Sequence, residues 1–137
     1  MKTNIITTTA FGVALVIAML TAPLHADEAP AFIQDTYPTQ SVDAAWDDYQ
    51  SVFLDPEGAL DARTKELIAL AVSAQVPCTY CIYYHTRAAQ AHGADEAQIK
   101  EAIAVASLIR KWSTVLNGIQ YDEARWHREV DAMFSAD

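Results

Sequence analysis

The chain has 137 residues, enough for one domain, and its 52% apolar and 20% charged residues exclude a disordered chain. Eighteen acidic residues against nine basic ones give a net charge of −9, which repels phosphate backbones and anionic membranes and argues against a nucleic-acid partner. Two cysteines cannot build a disulfide-rich scaffold, and four glycines with five prolines exclude a collagen-like or low-complexity fibre.

Lys2 precedes an uninterrupted apolar stretch of 11 residues, Ala10 to Leu20. A bilayer span needs roughly 20 residues, so the stretch fits the core of a secretory signal peptide. Residues 1–26 are expected to be that signal, with cleavage after the small residue Ala26. The mature protein is then periplasmic or secreted and leaves the membrane once the signal is removed. An oxidising compartment makes a cysteine pair either a stable bridge or a working redox couple.

Residues 27–40 hold two prolines and no periodicity, which predicts an extended arm or linker. From Ser41 to 137 the pattern is that of one helical domain. Ser41 is placed to cap a first helix, in which Val42, Ala45, Trp46, Tyr49, Val52 and Phe53 recur at three- and four-residue steps. Asp55-Pro56-Glu57-Gly58 breaks it. Asp61 caps a second helix to about Gln75, whose second half from Leu67 to Ala74 is apolar on all sides and so predicts burial in the core or in a subunit interface. A third helix runs from about Cys78 to His92, ended by Gly93. Asp95 and Gln98 make a capping-box start for a fourth, to about Leu116, with Ile99, Ala102, Ile103, Ala106, Ile109 and Trp112 on one stripe. Asn117-Gly118 stops it, and a fifth helix covers about 122–134. No stretch alternates long enough for a strand, so the fold is all-α with about five helices.

The chemistry lies in Cys78-Thr-Tyr-Cys81-Ile-Tyr-Tyr-His85. Cys78, Cys81 and His85 stand at i, i+3 and i+7 and share one helix face. The free amides and positive dipole end of a helix N-terminus favour thiolate over thiol. A thiolate attacks peroxides and disulfides, and the second cysteine can resolve a sulfenic acid as a disulfide. His85 is within reach of Cys81 and can move its proton. Glu66, early in the apolar second helix, is a partly desolvated carboxylate suited to the same work. Tyr80, Tyr83 and Tyr84 read as packing or pocket-lining residues, Trp46, Trp112 and Trp126 as core or interface, and His92 as a solvated helix end.

The stretch from Leu60 to His85, with the continuation Ala91 to Ile103, resembles the carboxymuconolactone decarboxylase family, and more closely its alkylhydroperoxidase D-like branch. The specific feature is the order Glu66, twelve residues later the CxxC, then His85; the resemblance covers about residues 41–117. It implies an all-α fold that forms homotrimers or homohexamers, and thiol-dependent peroxidase activity. It further implies that Glu66 and His85 form a proton relay, that Cys78 and Cys81 are the redox pair, and that peroxide attacks at Cys81. The branch's prototype has a histidine immediately before the second cysteine, where this chain has Tyr80. The prototype's reductant is a lipoyl-bearing protein of the cytoplasm, so an exported relative needs a different thiol reductant.

The leading expectation is therefore an exported, oligomeric dithiol oxidoreductase that reduces hydroperoxides or exchanges disulfides through Cys78 and Cys81, with no cofactor and no metal. Covalent haem is disfavoured because Ile82, not histidine, follows the second cysteine. Three alternatives remain. One is a non-catalytic assembly protein with a permanent Cys78–Cys81 bridge. Another is a lactone or carbonyl enzyme using Glu66 and His85 alone. The third is a metal site with Cys78, Cys81, His85 and Glu66 as ligands.

Overall fold

The computed structural model describes residues 28–135. The expected signal segment, 1–26, lies outside them. The described residues form six α-helices and no strand: α1 (Ala31–Thr36), α2 (Val42–Tyr49), α3 (Ala62–Gln75), α4 (Thr79–Ala91), α5 (Glu96–Gly118) and α6 (Glu123–Phe134).

The segment expected to be an extended arm carries α1. Its two prolines bracket the helix rather than prevent it. Pro30 stands at the N-cap, where a fixed φ and the missing N–H cost nothing, and Pro38 follows the end. Ile33 packs with Ala29 and Trp46 in a small cluster that Val42, Ala45 and Tyr49 complete, fixing α1 on α2. Ser41 does not cap α2. A 3-10 turn over Thr39–Ser41 leads into the helix and leaves the Ser41 side chain without a capping bond. The last turn of this helical stretch, Gln50–Leu54, widens to π-type bonding before Asp55 ends it.

The other helix starts follow the sequence signals. Asp61 accepts from the Thr64 N–H, and Asp122 from the Arg125 N–H. Asp95 and Gln98 form a complete capping box. Gly93, at φ 84°, closes α4 in the left-handed conformation that glycine adopts without a Cβ penalty. Asn117-Gly118 does mark the end of α5, whose last residue is Gly118; Gln120 at φ 52° then turns the chain while the Tyr121 N–H bonds the Leu116 carbonyl.

The centre of the fold is α3, which packs against α4 on one side and α5 on another. Leu70, 1% exposed, is the deepest large side chain, and Ala89 and Ala106 let the flanking helices approach. Gln75 ties the end of α3 to α5. It donates to the Ala106 carbonyl at 2.7 Å, while Arg110 donates through Nε to Gln75 Oε1 at 2.6 Å and through Nη2 to Gln75 O at 2.9 Å. The chain then turns at once into α4, and the Cys78 N–H bonds the Ser73 carbonyl at 3.1 Å. The cysteine turn therefore hangs from a helix end fixed from two directions.

The apolar second half of α3 is only partly covered within the chain: Ile68 and Val72, and Val76 just past the helix end, are about half exposed or more. The stripe on α5 divides likewise. Ala106 is buried against α3, whereas Ile109 and Trp112 face outward. Trp46 lies in the core, Trp112 does not, and Trp126 meets Tyr121 edge to face at 6.4 Å. No helix among the described residues is long and apolar enough to cross a membrane.

Candidate functional site

Cys78 is the N-cap of α4. Its sulfur accepts the Cys81 N–H at 3.2 Å, so one of the helix's free amides points at it. Cys81 lies three residues on, in the first turn, and the two sulfurs are joined as a disulfide with Cα atoms 5.3 Å apart. The described state is thus the oxidised one, and neither sulfur is free to bind a metal. Among the described residues no group of three or more His, Cys, Asp and Glu side chains is arranged to hold one.

One turn further, His85 Nδ1 meets Glu66 Oε2 at 2.6 Å. The close packing of α3 and α4 brings the two together across 19 residues of sequence. Glu66 is 3% exposed, and this bond satisfies its Oε2. Because Nδ1 is engaged by the carboxylate, the acid fixes the ring's tautomer and leaves Nε2 as the working nitrogen. Phe53 stacks on the imidazole with centroids 5.4 Å apart, and Tyr84 meets it edge-on at 5.1 Å. The widened turn after α2 is what carries Phe53 to this place.

An apolar groove of about 930 Å³ lies between α1, α2 and the first turns of α4. Phe32, Ile33, Val52, Phe53 and Tyr83 line it, and Cys81 and His85 open onto it. Cys78 and Glu66 are not among the residues that line it. The sequence left the two cysteines hard to rank, since the dipole favours Cys78 and His85 favours Cys81. Of the two, Cys81 lines the groove and Cys78 does not.

Tyr84, expected to pack or line a pocket, meets Tyr49 of the apolar α2 stripe at the groove wall. Tyr49 of α2 and Tyr84 of α4 place their hydroxyls 2.6 Å apart. Tyr49 also stacks on Trp46 at 5.3 Å and on Phe53 at 4.8 Å. Burial first, then the hydrogen bond to Tyr84, push the Tyr49 phenol well above its usual range, so it stays protonated. No local signal ties residues 35 apart in sequence, so the pair was visible only in the fold.

All four residues singled out from the sequence thus lie at this one place, as a bonded cysteine pair and a bonded acid–imidazole pair. The comparisons with known proteins agree with the fold. The carboxymuconolactone decarboxylase family profile matches residues 40–124. The crystal structure of the alkylhydroperoxidase AhpD core from Rhodospirillum rubrum is similar with a TM-score of 0.56 and 37% identity, over 62% of this chain and 63% of that one. An uncharacterized protein of the cox locus of Paracoccus denitrificans is 51% identical over 54 residues, 39% of this chain and 49% of that protein. An uncharacterized protein of Cupriavidus necator is 41% identical over 49 residues, 36% of this chain and 43% of its own length. The chain therefore matches just under half the length of these two relatives. On the family match and the all-helical AhpD-like fold, the chain belongs to the carboxymuconolactone decarboxylase family.

Proposed function

We propose that the protein is a dithiol-dependent hydroperoxide reductase. The observation that carries the reading is Cys81 opening on an apolar groove beside His85, whose other nitrogen is held by buried Glu66 at 2.6 Å. In the reduced protein His85 takes the Cys81 proton, and the thiolate attacks the terminal oxygen of a hydroperoxide ROOH. A sulfur–oxygen bond forms, the oxygen–oxygen bond breaks, and His85 returns its proton to the departing alkoxide as ROH. The Cys78 thiol then displaces the hydroxyl of the Cys81 sulfenic acid; its own proton neutralises the leaving hydroxide, so that water is released and the disulfide closes. A dithiol reductant restores both thiols by exchange.

The groove favours an organic hydroperoxide over hydrogen peroxide, because only the former has apolar surface to bury there. Disulfide exchange through the same pair is the second reading, supported by the helix-capping position of Cys78, which stabilises a leaving thiolate. Export and assembly into a trimer or hexamer belong to the same proposal. The apolar stretch Ala10–Leu20 supports the first, and the half-exposed apolar side chains of α3 and α5 support the second.

The test is consumption of cumene hydroperoxide by the protein with dithiothreitol as reductant. Cys81→Ser is expected to abolish it. Unchanged turnover in that variant would remove the proposal. N-terminal sequencing of the exported protein tests cleavage after Ala26, and sedimentation tests the assembly.

A further inference from the structure

We propose that the Tyr49–Tyr84 pair supplies the hydrogen-bond donor that stabilises the leaving oxygen of the hydroperoxide, with Tyr84 making the contact and Tyr49 positioning it. The inference rests on the hydroperoxidase reading and assigns a part of that reaction which the Cys–His–Glu set leaves open. When the oxygen–oxygen bond breaks, negative charge develops on the proximal oxygen. In a groove walled by aromatic and aliphatic carbon, that charge needs a donor in place beforehand.

The geometry points to Tyr84. It stands three residues after Cys81 and one before His85, so the three side chains emerge on adjoining parts of one helix face, and all three line the groove. The two hydroxyls lie 2.6 Å apart, so one donates to the other and one hydrogen remains unused. Tyr49 is the more buried partner, sandwiched between Trp46 and Phe53. Both tyrosines line the groove, and Tyr84, at 40% exposed, is the more accessible of the two. With Tyr49 donating to the Tyr84 oxygen, the free O–H is that of Tyr84.

The balance of the step is unchanged by the pair. The Cys81 thiolate takes the terminal oxygen, the oxygen–oxygen electron pair leaves on RO⁻, and the proton that neutralises it comes from His85. Tyr84 donates a hydrogen bond to that oxygen and keeps its proton.

This role predicts a dependence on the leaving group. An alkoxide needs the donor, whereas the carboxylate that leaves a peroxy acid is a stable anion and needs it far less. The experiment measures single-turnover oxidation of the reduced protein, read as disulfide mass after acid quench, with cumene hydroperoxide and with peracetic acid. Tyr84→Phe keeps the ring and removes only the hydroxyl. It is expected to slow the hydroperoxide reaction at least tenfold, somewhat less than the loss of a fully enclosed donor, about 10²–10³-fold. The peracetic acid rate should stay within about twofold of wild type. Tyr49→Phe should show the same pattern with a smaller loss. A Tyr84→Phe variant unaffected with both oxidants, or slowed equally with both, overturns the inference; equal slowing marks a merely structural tyrosine. The failure of the underlying reading looks different: wild-type protein that peracetic acid oxidises and cumene hydroperoxide does not, which would overturn the hydroperoxidase reading and this one together.

Discussion

Replacing Glu66 by glutamine isolates what the buried charge does at His85. Glu66→Gln keeps volume and shape at a position only 3% exposed, and its amide oxygen can still accept from Nδ1, so the imidazole keeps its orientation. What is lost is the charge opposite the ring when His85 carries the thiol proton. A hydrogen bond to a charged group is worth about 1.5–3 kcal/mol net, against about 0.5–1.5 for a neutral one. The difference of about 1–2 kcal/mol converts, at 1.36 kcal/mol per decade, to a loss of about 5- to 30-fold in the rate of Cys81 oxidation. His85→Ala removes the proton carrier itself and should cost more, about 10²–10⁴-fold. The assay is single-turnover disulfide formation with cumene hydroperoxide, after urea unfolding has shown that each variant is folded. A Glu66→Gln rate within twofold of wild type, in protein whose Cys81→Ser variant is inactive, would refute the relay.

Three further outcomes test the fold that holds the site. Leu70→Ala, at the 1%-exposed centre of α3, should lower stability by about 2–5 kcal/mol in urea unfolding, since the lost contacts and the cavity add. Gly93→Ala meets no atom within 4 Å of its new Cβ, so any cost there comes from the backbone at φ 84° and should be about 1–2 kcal/mol; a neutral result would show that the turn relaxes. The Asp61 carboxyl is held below its ordinary 3.8 by the Thr64 N–H first and the Thr64 hydroxyl next. A lowered folded value means that the cap stabilises α3 fully above about pH 4 and loses this contribution as the pH falls through the lowered value. The urea midpoint of Asp61→Asn should therefore depend less on pH below 4 than that of wild type.

Much of the helical frame was legible because it is written in local chemistry. Asp61, Asp95, Gln98 and Gly93 each act on amides or carbonyls within a few residues, and each does so in the structure. The errors fell where two local signals compete. Prolines read as helix breakers at 30 and 38 are helix boundaries, and α1 fits between them. Ser41, read as a cap, makes no capping bond because a 3-10 turn over Thr39–Ser41 leads into α2. The cysteine–histidine face was legible from spacing along one helix. The meeting of Glu66 with His85 was expected from the resemblance and needed the packing of α3 on α4 to become a distance. The Tyr49–Tyr84 contact and the stacking of Phe53 on His85 depend on where α2 lies against α4, and nothing in a residue's neighbours encodes that. The apolar length of α3 announced burial, yet within one chain Val72 and Val76 stay exposed, because composition says that a face seeks cover without saying which surface provides it.

The central claim is that Cys78 and Cys81 work as a redox couple rather than as a permanent staple. The direct measurement is the reduction potential of the purified protein, from alkylation and mass across a dithiothreitol series. The account predicts a reversible two-electron couple within the range of working oxidoreductases, about −120 to −270 mV. A bridge that stays closed to below about −300 mV would contradict it and make the pair structural.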